Sequence, residues 1–119
     1  MKHLFRRGYQ MTLNRVHDTV TIKEGNERLT LTVNGDSMRM VAGLNRAQAK
    51  LQAINENSPE EEVKATAEYF ATVIFGAEQT AEIMRFYADD AACVISVCGQ
   101  YFRERLADKI TKVQKKLKI

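Results

Sequence analysis

The sequence predicts a mostly helical α+β fold in which an N-terminal antiparallel β-hairpin packs on a bundle of about four helices. Three observations carry that expectation. Two short runs near the start alternate apolar and polar residues across a glycine-containing connection, as strands of a hairpin do. From residue 37 onward the apolar residues recur at spacings of three and four, which is the helical period. The 119 residues contain one proline, no internal repeat and no low-complexity stretch, so a single domain over residues 19–119 is expected behind an arm, residues 1–18.

Residues 1–18 show no periodicity and carry turn-compatible Gly8, Asn14 and Asp18, which predicts an irregular or extended arm. The hairpin is expected over residues 19–33. Val20 and Ile22 alternate with Thr21 and Lys23, then Leu29, Leu31 and Val33 alternate with Thr30 and Thr32. Between them Gly25 and Asn26 tolerate positive φ, as a tight hairpin turn requires. A lone two-stranded hairpin is marginal in water, so its apolar face must be covered by the helices or by another chain.

Helices are expected at about 37–56, 59–75, 77–87 and 90–117. The first has Asp36 or Ser37 as its cap and Met40, Leu44, Ala47 and Leu51 on one stripe. Gly43 inside it costs about 1 kcal/mol relative to Ala, which points to close packing or to tolerance. The second opens on Ser58, Pro59 and Glu61 in the spacing of a capping box, and Gly76 supplies its left-handed stop. The third is short and ends near Tyr87. The fourth, capped by Asp89 or Asp90, is read as one long helix with an apolar ladder of Val94, Cys98, Phe102, Leu106, Ile110, Val113 and Leu117. From Arg103 to the end it carries seven basic residues against Glu104 and Asp108, so an apolar stripe is bordered by positive charge.

The residue types and spacings argue against an enzyme. Both histidines, His3 and His17, fall in the predicted arm. The acidic run Glu60-Glu61-Glu62 occupies a first helical turn, where carboxylates favour the positive end of the dipole, and Asp89-Asp90 is read in the same way. The glycines are scattered singly and form no phosphate-binding loop. Cys93 and Cys98 lie five apart, about 140° around a helix, and share neither a metal nor a bridge. No cofactor and no metal are expected. The opening stretch holds Lys2, Arg6 and Arg7 with no apolar run behind it, and no segment has the length of a membrane span, so the expectation is a cytoplasmic protein.

The segment from Phe70 to Lys118 resembles tail assembly chaperones of long-tailed bacteriophages and prophages. The residues that carry the resemblance are Phe70 to Gly76, then Ile83 to Tyr87, then a long helix with Val94-Ile95, Cys98, Tyr101-Phe102 and Ile110. The hairpin followed by Met40 to Ile54 is similar to the family's layout too, so the likeness spans about a hundred residues as an order of elements. It implies a non-enzymatic protein that coats the aggregation-prone tape measure protein, or other tail proteins, while the tail tube assembles. The expected contact residues are Phe102, Leu106, Lys109, Ile110, Val113, Lys116 and Leu117, with the turns beyond Leu106 the most exposed and Val94 to Phe102 read as core. Self-association through the hairpin edge or the long helix is a further expectation. The alternative is a small basic nucleic-acid-binding or regulatory protein. Arg6, Arg7 and Arg15 interleaved with Phe5 and Tyr9, together with the basic last helix, favour it, and the acidic second helix opposes a continuous positive face.

Overall fold

The computed structural model describes residues 15–117, with side chains up to residue 112. Within that range the fold is α+β and mostly helical, with the antiparallel hairpin first and the helices after it, as expected. Strands β1 (Arg15–Glu24) and β2 (Glu27–Asp36) pair in unbroken register from Arg15 opposite Asp36 to Glu24 opposite Glu27. Gly25 has φ +62 while Asn26 stays negative, the φ pattern of a type II′ turn, whose twist suits a two-residue hairpin. Val16, Val20, Ile22, Leu29, Leu31 and Val33 share one face and turn it to the helices. Threonines 19, 21, 30 and 32 face solvent.

β1 starts four residues earlier than the alternation of Val20 and Ile22 implies. His17 and Asp18 are therefore strand residues rather than arm residues, and residues 1–14 of the predicted arm lie outside the described range. Asp18 occupies the inward face between Val16 and Val20, and its charge is what hides the start of the alternation.

The helices are α1 (Ser37–Ala53), α2 (Glu60–Phe75), α3 (Ala77–Phe86), α4 (Ala91–Tyr101) and α5 (Ala107–Leu117), with a π-helical turn (Phe102–Leu106) joining the last two. Asp36 caps α1 by accepting from the backbone N–H groups of Met38 and Arg39, at 2.8 and 3.3 Å. The capping box at α2 does not form. Pro59 is the capping residue, and the Ser58 hydroxyl instead accepts from the Asn55 backbone N–H at 2.9 Å, closing the turn before the helix. Gly76 ends α2 at φ 88 and ψ 162, an extended positive-φ basin that essentially only glycine visits, rather than in the left-handed helical region. Its carbonyl accepts from Thr80 N–H at 3.0 Å, so this one residue both stops α2 and starts α3. Asp90, not Asp89, caps α4 by accepting from Cys93 N–H at 3.2 Å.

The core is continuous from the hairpin through Phe70, Ala71 and Ile74 of α2, Ile83 and Met84 of α3, and Val94 and Cys98 of α4. Gly43 is where α1 and α2 meet closely. A Cβ placed there would lie 2.8 and 2.9 Å from the two Val73 methyl carbons, too close for any real contact. Gly43→Ala gains about 1 kcal/mol of helix propensity but forces a stiff β-branched neighbour aside, at about 1–3 kcal/mol. The expected result is a net loss near 1 kcal/mol in urea unfolding. In a Val73→Ala background the clash is gone, so the same Gly43→Ala change should cost less than in the parent or become stabilising. A Gly43→Ala protein more stable than the parent would show that the helices do not pack so closely.

Both outer edges of the hairpin are occupied at one rung, where Thr19 faces Thr32. On β2 the Gln79 side chain of α3 accepts from Thr32 N–H at 2.8 Å and donates to Thr32 C=O at 2.6 Å, as a neighbouring strand would. The same amide donates to Phe75 C=O at 2.8 Å, satisfying a carbonyl at the end of α2. On β1 the Thr19 N–H donates to the Asp18 carboxylate at 2.9 Å. The middle of the hairpin thus offers no free N–H to a further strand at this rung.

Candidate functional site

The expected contact residues separate into three groups. Leu106 is 0% exposed and Ile110 is 7% exposed, so both are core residues and not a free surface. For these two residues the expected exposure is thereby corrected. Phe102 and Lys109 are half-buried. The side chains of Val113, Lys116 and Leu117 lie outside the described residues. The π turn explains why the ladder turns inward. Buried positions run Val94, Cys98, Tyr101 and then skip five to Leu106 before Ile110, and the wider turn absorbs the additional residue. Tyr101 takes the core position that the ladder assigns to Phe102.

Phe102, displaced from the core line, faces a groove between α1 and α4. Leu44 and Leu51 of α1 form one wall, Ile95 of α4 and Phe102 the other, and Phe70 of α2 the floor. The groove has a volume of about 450 Å³ and opens to solvent. Leu44, Leu51, Ile95 and Phe102 are each only half-buried, so four large apolar side chains surround one opening. Contiguous exposed apolar surface of this kind marks interaction sites, because leaving it hydrated is costly. Asn45, Gln48 and Ser96 supply polar groups at the rim, and Arg103 supplies the only charge among the lining residues.

On the opposite side of the same π turn sits the one buried ionic cluster among the described residues. The Asp18 side chain is 7% exposed. It accepts from the Tyr101 hydroxyl at 2.9 Å and from the Arg105 guanidinium at 2.6 Å, with Thr19 N–H as a third donor. Burial, reinforced by the hydrogen bond to Asp18, holds the Tyr101 hydroxyl well above its usual range, so it stays protonated and remains a donor. Every short contact of the carboxylate is to a donor and the nearby cation neutralises it. The cluster has the chemistry of a tie between β1 and the helical end rather than of a proton-transfer centre.

The cysteines present no activated thiol. Burial pushes Cys98 up to about 12, and a side-chain hydrogen bond to Asp90, then burial, raises Cys93. Among the described residues no three His, Cys, Asp or Glu side chains converge as a metal site. Among the same residues no helix is long and apolar enough to cross a membrane.

Sequence reasoning picked out Phe102 but missed Leu44, Leu51 and Ile95 as its partners, because a groove between helices distant in sequence leaves no local pattern. It also missed Asp18. The available signal was the step of two that places Asp18 on the face of Val16, Val20 and Ile22. No known protein family, no characterised protein and no solved structure matches this chain.

Proposed function

We propose that the protein acts without catalysis, by receiving a helical segment of another protein in the α1–α4 groove, as a phage or prophage tail assembly chaperone whose client is the tape measure protein. The observation that carries this reading is the groove itself: four half-exposed apolar side chains around one opening, with a polar rim. Helix-in-groove recognition needs that arrangement, since an amphipathic helix inserts side chains spaced at i, i+3, i+4 and i+7 into an apolar cleft. A long helical client offers such stripes repeatedly, so modest affinity per site suffices to coat it. The order of elements resembles that of tail assembly chaperones, and this is what names the client.

The nucleic-acid alternative has less support, because several cations are already engaged. Arg15 donates to Asn34, Arg105 pairs with Asp18, Lys112 pairs with Asp108, and Lys50 lies over the Tyr69 ring.

Co-purification with a co-expressed helical segment of a tape measure protein tests the proposal. The wild-type protein should retain it, and Ile95→Glu should lose at least about tenfold of the retained segment while melting within a few degrees of the parent. Ile95 is half-buried in the groove wall, so a charge there spoils the cleft before it spoils the core. Equal retention by both proteins sinks the groove, and no retention by the wild type sinks the client.

A further inference from the structure

We infer that the α1–α4 groove selects an acidic amphipathic helix, one that seats its apolar stripe close against Gly99 and sets a carboxylate on Arg103. The inference rests on the groove reading above and adds the chemistry of the occupant. Two independent observations carry it.

The first is charge. α1 contains Arg39, Arg46 and Lys50 and no acidic residue, and α4 contains no charged residue at all. Arg103 is the single charge lining the groove, and the ion pairs among the described residues are Asp18 with Arg105 and Asp108 with Lys112, neither of which involves it. Glu104, the nearest acidic residue in sequence, lines the other cleft of the π turn, beside the hairpin, and accepts a hydrogen bond from Gln100 at 3.1 Å. None of the α1 cations lines the groove, so a helix entering it meets the Arg103 guanidinium with no acidic residue in the lining, and a cation set against Arg103 would be disfavoured.

The second is Gly99. A glycine in the middle of a helix weakens it, and the fold gains nothing visible in return. A Cβ placed at Gly99 would meet only the tip of Arg103, at 3.2 Å, which is a flexible neighbour. Gly43 shows the contrast, because there the missing Cβ is needed by Val73. What the bare backbone at Gly99 supplies is depth in the groove beside a movable guanidinium. A partner helix approaches closely over such a position, and Arg103, lying across it, is displaced toward the partner's flank.

Fluorescence anisotropy with two synthetic peptides of about five helical turns tests this. Both carry the same leucine stripe, one with a glutamate polar face and the other with a lysine polar face. The wild-type protein should bind the glutamate peptide at least about tenfold more tightly at low salt, with the preference shrinking as salt rises. Arg103→Glu should remove or reverse the preference. Gly99→Leu should weaken both peptides at least about tenfold without lowering the thermal midpoint, since leucine is the better helix former. Equal binding of the two peptides overturns the acidic selection and leaves the groove reading in place. Binding of neither overturns both. Unchanged affinity in Gly99→Leu overturns the seating on Gly99.

Discussion

Leu106→Ala is expected to lower the free energy of unfolding by about 3 kcal/mol. Leu106 is 0% exposed, and it belongs to the same core cluster as Tyr101 and Ile110. Removing its isobutyl group forfeits the transfer energy of the buried carbons and leaves a cavity lined by groups that cannot fully collapse. The π turn adds to the cost, because Leu106 is its last residue and holds the wide turn against the core. Urea unfolding at neutral pH measures the effect as a shift in midpoint at constant slope. Peptide affinity measured where the variant is still folded should match the parent, since Leu106 does not line the groove. A loss below about 1 kcal/mol together with weakened peptide binding would return Leu106 to the surface that its place in the apolar ladder implies.

That ladder shows what a residue spacing can and cannot express. Each step of four residues turns an ideal helix about 40° beyond a full circle, so the four steps from Val94 through Cys98, Phe102 and Leu106 to Ile110 accumulate about 160°. A straight helix cannot keep those residues on one face. The drift is legible in the spacing itself, and a π turn between Tyr101 and Leu106 is one way to remove it. The hairpin and the succession of helices after it were legible too, because strand alternation, turn glycines and caps are local signals. The Ser58 capping box failed because Asn55 and Ser58 satisfy each other first, in a competition between turn and cap that spacing alone does not rank. The groove was illegible for another reason. Leu44 and Ile95 are fifty-one residues apart, and a helical stripe looks alike whether it fills a core or borders a cleft.

Asp18→Ala is expected to cost about 2–3 kcal/mol, more than its place at the start of an edge strand implies. Among the described residues the carboxylate is the only acceptor of the Tyr101 hydroxyl, and it also accepts from Thr19 N–H. Deleting it leaves a buried phenol that burial already keeps protonated, with a donor and no partner. Arg105 loses less, since its side chain is 52% exposed and water replaces the contact. Asp18→Ala should exceed Arg105→Ala, because it strands the buried Tyr101 hydroxyl, whereas the carboxylate left by Arg105→Ala keeps both the Tyr101 hydroxyl and the Thr19 N–H as donors. Tyr101→Phe removes the orphaned hydroxyl at nearly constant volume, so the double variant Asp18→Ala/Tyr101→Phe should be less unstable than the two single losses summed, by about 1–2 kcal/mol. Urea unfolding of the four proteins in this cycle gives the coupling directly. Strict additivity would mean that β1 is held to the helical end by Val16 and Val20 packing alone, and that the buried polar contact between Asp18 and Tyr101 contributes position without stability.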